Sequence, residues 1–217
     1  MQIDIVSDVI CPWCFIGKRR LERALALRPD LAATLSWRAF QLNPDMPANG
    51  IPRELYLSAR FGSPRRAEEA YEVVSRAGRA EGIEFAFERI RRVPNTLRAQ
   101  RLIRLAMLGG CAAEIVEALF QGYFLNGLDI GDVEALAAAA QAAGLDETAV
   151  RRYLVSEAGA AEVRAEEHRA RRLGIHAVPC FILERGYAIS GAQEPEILLP
   201  LFDIAAGPSG RAGAAEA

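Results

Sequence analysis

Two cysteines at positions 11 and 14, in the run SDVICPWCFIG, constrain this chain more than any other feature. They follow an apolar/polar alternation rich in Ile and Val, QIDIVSDV, which predicts a β-strand leading into the pair. After Cys14 the period changes, and Phe15, Ile16, Leu21, Leu25 and Leu27 recur at helical spacing until Pro29. A strand that hands over to a helix at Cys-Pro-Trp-Cys admits three readings: half of a metal site, a redox dithiol, or small apolar filler.

The first turn of a helix offers unpaired N–H groups and the positive end of the helix dipole, which stabilise a thiolate at Cys11. Cys14, one turn along the same face, would reach a mixed disulfide on Cys11 and resolve it. Pro12 suits the first helical position, where no N–H is needed, and Trp13 reads as an apolar flank. A structural zinc site needs four ligands, and only the scattered Cys111, Cys180, His168 and His176 are available to complete one. Filler would be the default for a single cysteine. The strand-to-helix switch gives the redox reading the most support, with zinc and filler left open.

The chain has 217 residues, 51% of them hydrophobic, enough for one sizeable core. A formal charge of −2 lacks the concentrated positive field that nucleic acid or an anionic membrane requires, so neither is expected as a partner. Lys18 is the only lysine, and the clusters Lys18-Arg19-Arg20, Arg91-Arg92 and Arg169 to Arg172 read as solvated helix faces. MQIDIVSDVI has an acid at position 4 and no basic or long apolar segment, so no secretory signal is expected. No apolar run approaches the roughly 20 residues needed to span a bilayer. The expectation is a cytoplasmic protein, where stable structural disulfides are rare. GxSxG, Walker A, GxGxxG and HExxH patterns are absent from the sequence.

LSWRAFQLNP predicts a second strand, followed by a Pro/Gly-rich loop to Pro52. From about Arg53 to Leu173 the periodicity is almost wholly helical, with Ser63, Asn95 or Thr96, and Asp146 as candidate caps. Strand character returns in HAVPCFILER and YAIS, joined by Arg185-Gly186 as a tight turn, and Gly191 precedes a last helix. The tail from Gly207 is small and polar, and disorder is expected there. These elements predict one α/β sheet whose halves are separated in sequence by helices.

Taken together, DVICPWCFIGKRRLERAL, WRAFQLNP, the Asn95-Thr96 helix start, GYFLNGLDIGDVEALAAAAQAAGLD, AVPCFILERGYAISGAQ and the final helix resemble the DsbA-like thioredoxin-fold proteins of the FrnE type, over residues 2 to 205. The resemblance implies a thioredoxin fold with an inserted all-helical subdomain: a discontinuous thioredoxin-like domain over 1–47 and 174–206, the insertion over 48–173, and a disordered tail over 207–217. It also implies a cis-proline loop at Val178-Pro179 packed beside Cys11 and Cys14, with the Val178 backbone receiving an extended substrate segment. On sequence statistics alone cis is uncommon, and Pro179 would open a strand. Asn95 and Thr96 resemble a pair that lines the active-site groove, although helix capping accounts for them as well. Gln100 stands where relatives often carry a His. His176, three residues before Pro179, borders the implied site and could tune the Cys11 thiolate, whereas His168 reads as surface. Cys180 departs from the aromatic residue usual after the proline; strand alternation turns it away from the face of Pro179, and it and Cys111 read as filler.

Three functions compete. One is a thiol–disulfide oxidoreductase or isomerase with Cys11 attacking and Cys14 resolving, acting on disulfide-containing proteins or low-molecular-weight thiols. Another is a glutathione-dependent isomerase or transferase resembling the 2-hydroxychromene-2-carboxylate isomerases, which use serine where this chain has Cys11. The third is a non-catalytic interaction module whose cysteines sense oxidation. No cofactor and no metal are expected beyond glutathione as a co-substrate, and a homodimer is the one self-association allowed for.

Overall fold

Ile3, Ile5 and Val6 of β1 (Gln2–Ser7) are buried, so the first strand has no face to give to water and must lie inside a sheet. In the computed structural model, which describes residues 1–207, β1 is flanked on both sides. It pairs in parallel with β2 (Thr34–Ala39), Ile5 opposite Trp37, and antiparallel with β5 (Cys180–Leu183), Val6 opposite Cys180. β6 (Ala188–Ser190) completes the order β2-β1-β5-β6. The parallel pair requires a crossover, which is helix α1 (Pro12–Ala26). The two chain ends therefore share one sheet, with helices between them, as the resemblance implies. The expected disordered tail falls almost entirely outside the described residues.

Between the halves run α2 (Arg53–Phe61), α3 (Pro64–Ala80), α4 (Leu97–Gly109), α5 (Ala112–Asn126), α6 (Val133–Ala142), α7 (Glu147–Val155) and α8 (Ala160–Arg172). α9 (Pro195–Ala206) closes the fold against α1. Ser63 Oγ accepts from the Arg66 N–H, and Asp146 Oδ1 from the Ala149 N–H at 2.6 Å, as their cap positions predict. Asp132 caps α6 in the same way. The insertion is helical apart from one short pairing, β3 (Ile51–Pro52) antiparallel with β4 (Arg92–Val93). Two-residue strands, one ending in proline, show no alternation a sequence could reveal. Among the described residues no helix is long and apolar enough to cross a membrane.

The block is fastened to the cysteine helix by aromatic stacking. The Phe15 ring lies 5.0 Å from that of Phe120 on α5, nearly parallel to it, and meets Phe85 edge-on at 6.2 Å. Charge pairs reinforce the joint: Lys18 Nζ lies 2.6 Å from Glu117, and the buried Glu81 accepts from both Arg20 and Arg23. This corrects the reading of Lys18-Arg19-Arg20 as a solvated face, since Lys18 and Arg20 are buried. α1 is covered by the sheet, α9 and the inserted helices, leaving it little free surface.

On its sheet side α1 approaches the C-terminal half so closely that Gly17 has no room for a side chain. A Cβ there would stand 2.8 Å from Pro179 Cγ and 3.3 Å from the Phe181 ring. Gly17→Val should lower stability by about 1–3 kcal/mol, the usual cost of overpacking, seen as a lower urea midpoint at unchanged slope. A variant as stable as the parent would show that α1 and Pro179 are not in contact.

Candidate active site

β1 ends at Ser7, and a short turn over residues 8–10 delivers Cys11 to the start of α1, where its N–H donates to the Asp8 carbonyl at 3.0 Å. Cys11 is the N-cap residue in extended conformation, Pro12 takes the first helical position, and the first turn carries no acidic side chain. The positive end of α1 is thus left to the Cys11 sulfur. Cys11 Sγ lies 3.5 Å from the Val178 carbonyl oxygen, and the Val178–Pro179 peptide bond is cis. Both cysteines are free thiols.

Their surroundings differ. Cys11 lines a cleft of about 580 Å³, whereas Cys14 faces inward and does not touch it. Burial pushes the Cys14 thiol well above its ordinary value, and the hydrogen bond and charge of Cys11 push it further. The Ser7 hydroxyl, buried and otherwise unpartnered, and the Asp8 N–H act in the opposite direction.

Pro12, Trp13, Val178 and His176 also line the cleft, with His176 exposed at its edge. Pro179 is buried against Gly17. Asn95 and Thr96 are not among the residues that line the cleft. Asn95 Oδ1 accepts from the Leu97 N–H at 2.9 Å and its Nδ2 donates to the Met46 carbonyl, while Thr96 is buried. Gln100 is a buried clamp, its amide donating to the carbonyls of Ser7 and Phe40 at the ends of both parallel strands. Cys180 is buried in β5, Cys111 stands at the N-cap position of α5 with no capping hydrogen bond from its side chain, and neither borders the cleft. Among the described residues no three His, Cys, Asp or Glu side chains are grouped to hold a metal.

Asp8 was not singled out in the sequence, because an acid after a strand ordinarily marks a solvated turn. It is fully buried behind the cysteine loop. The Leu42 N–H donates to Oδ2 at 2.7 Å, while Oδ1 lacks a well-formed hydrogen bond, the nearby Thr96 hydroxyl notwithstanding. Gln41 Nε2 reaches Asn95 and Thr96, joining Asp8 to a polar cluster under the site. Burial pushes the Asp8 carboxyl up to about 7; its hydrogen bonds oppose this without cancelling it.

The DSBA-like thioredoxin domain family matches residues 2–202 of the chain. The crystal structure of a probable DsbA oxidoreductase from Streptomyces coelicolor is 34% identical, with a TM-score of 0.87 over 96% of this chain and 91% of that one. A 2-hydroxychromene-2-carboxylate isomerase shares the fold at 19% identity and a TM-score of 0.72, over 93% of this chain and 94% of its own. The cytosolic disulfide reductase DsbM from Pseudomonas aeruginosa shares it at 16% identity and a TM-score of 0.65, covering 93% and 97%, and has also been solved with GSH. At these last two identities the likeness is one of fold.

The raised Asp8 carboxyl has a signed consequence for stability. Because the folded state holds this proton up to about pH 7 and the unfolded chain releases it near 3.8, its stabilising contribution is complete below about pH 4. It is lost as pH rises to about 7, at about 1.4 kcal/mol per pH unit and about 4 kcal/mol in all. Asp8→Asn should therefore gain on the parent protein by an amount of this order between pH 4.5 and 7.5 in urea titrations. A parent-to-variant difference that is constant with pH would show that Asp8 is ionised throughout.

Proposed function

The chain belongs to the DSBA-like thioredoxin domain family, and on that premise we propose that it is a thiol–disulfide oxidoreductase in which Cys11 attacks and Cys14 resolves. The observation that carries this reading is the placement of the two sulfurs: Cys11 at a helix start on the cleft, against the Val178 carbonyl, and Cys14 enclosed one turn further on.

The Cys11 thiolate attacks one sulfur of a substrate disulfide, forming a mixed disulfide and expelling the first substrate thiolate. Cys14 gives up its proton and attacks the Cys11 sulfur, so that the Cys11–Cys14 disulfide forms and the second substrate thiolate leaves. Two electrons pass from the protein dithiol to the substrate, and the protons lost by the cysteines end on the two released thiols. The high proton affinity of Cys14 supports this order, because a protonated Cys14 cannot compete with Cys11 for the incoming disulfide. Regeneration requires two equivalents of a low-molecular-weight thiol of the glutathione kind, which reduce the protein disulfide and leave joined as their own disulfide; DsbM, with the same fold, has been solved with that thiol. We place this cycle in the reducing direction and in the cytoplasm. A glutathione-dependent isomerase of the 2-hydroxychromene-2-carboxylate kind would need no second protein thiol, and Cys14 therefore weighs against that reading.

Cys11→Ser should bring glutathione-coupled turnover of hydroxyethyl disulfide down to the uncatalysed background. Cys14→Ser should instead accumulate one mixed disulfide per chain, seen in the intact mass and mapping to Cys11. Adduct formation at Cys14 in the Cys11→Ser protein at the parent rate would reverse the assigned roles.

A further inference from the structure

The cleft beside Cys11 is richer in chemistry than the exchange reaction requires. Its walls carry Trp13 from α1, Tyr56 from α2, Tyr71 from α3, Phe87 from a short 3-10 helix (Phe87–Arg89), and Tyr123 and Phe124 from α5. A volume of about 580 Å³ falls in the range of roughly 300–1,000 Å³ typical of small-molecule sites. Flat rings facing a space of that size favour a planar or bulky apolar body.

The charge of the cleft is as specific as its shape. Arg53 and Arg60 line it, and no Asp or Glu does. The chain as a whole has 28 acidic against 26 basic residues, so this local excess of cation is not a consequence of composition. Elsewhere arginines are commonly paired, as Arg20 and Arg23 are with Glu81 and Arg151 is with Glu134; among the described residues Arg53 and Arg60 have no carboxylate partner. The Arg53 guanidinium lies over the Tyr71 ring, 5.0 Å from its centre, which holds the charge in place on an aromatic wall. A fixed guanidinium in a sheltered apolar cleft is suited to a carboxylate.

We propose that this cleft selects small disulfides that combine an apolar, preferably aryl, body with a carboxylate, the body lying among the rings and the acid meeting Arg53 and Arg60. This names the substrate class of the exchange reaction proposed above and rests on that reading for its chemistry, though not for binding. Cys11 takes one sulfur of the aryl disulfide as a mixed disulfide and expels an aryl thiolate. Cys14 then closes the protein disulfide and releases the second thiolate, and two equivalents of a glutathione-type thiol return two electrons to the protein and leave as their own disulfide. Glutathione has carboxylates for the arginines but no apolar body for the rings, and serves as the reductant.

Binding is separated from chemistry by calorimetric titration of the full chain carrying Cys11→Ser and Cys14→Ser with naphthoate and naphthamide. Naphthoate should bind at one site about tenfold or more tighter than the amide, a difference that Arg53→Gln with Arg60→Gln removes. Equal affinity of acid and amide, or no binding of the acid, would overturn the proposal without use of any arginine variant. In the reduced protein with both cysteines, the same arginine substitutions should slow reaction with dithiobis(nitrobenzoic acid) about tenfold and leave the neutral dithiodipyridine within twofold. Equal slowing of both would mean that the arginines act on Cys11 or on folding and not on the acid, and would also overturn it. Naphthoate binding with no reaction of either disulfide would refute the exchange reaction while supporting the cleft's preference for acids.

Discussion

The pairing of β1 with β5 is the constraint on which the rest of the molecule depends. It sets Val6 opposite Cys180, and so brings the residues that follow β1 to those that precede β5. Cys11 and Val178 are separated by 167 positions in the chain, yet their sulfur and carbonyl oxygen are 3.5 Å apart. The dithiol and its proline loop become one site only when the two chain ends have formed this sheet. Loop-closure entropy grows slowly with length, so a long insertion between the paired strands is tolerable if it packs well on its own account.

The insertion does pack, and the way it docks determines the surroundings of the dithiol. Phe15, next to Cys14, is held by Phe120 and Phe85, while Lys18 and Arg20 of the same helix are held by Glu117 and Glu81. The helix that presents Cys11 is therefore clamped on the face opposite the sheet. Tyr56, Tyr71 and Tyr123 then close over the cysteine from the inserted helices and make a cleft where a bare sheet and helix would offer an open edge. Beneath it, Asp8, Thr96 and Gln41 form a buried polar cluster that joins the cysteine loop to β2 and α4.

What could be read in the sequence follows physical range. The alternation of β1, the change to helical period after Cys14 and the caps at Ser63 and Asp146 depend on neighbours within a few residues, and the structure has each of them. The proline loop was visible only through a family resemblance, since nothing local around Pro179 distinguishes it from a strand start. Features set by docking were hidden. Lys18 and Arg20 look solvated until α1 is covered, Thr96 looks like a groove residue until α4 is seated, and Asp8 looks like a turn residue until Leu42 and Thr96 enclose it. The two-residue pairing of β3 with β4 lies below the length at which a period exists.

The proposed cycle requires Cys11 and Cys14 to behave as one reversible two-electron couple. The measurement that tests this most directly is equilibration of the protein across a series of reduced to oxidised glutathione ratios, followed by alkylation and intact mass. A single transition between dithiol and disulfide, replaced by free thiol in Cys11→Ser and by a mixed disulfide in Cys14→Ser and untouched by Cys180→Ala, is the predicted result. No transition at any ratio, or one that survives both serine substitutions, would contradict it.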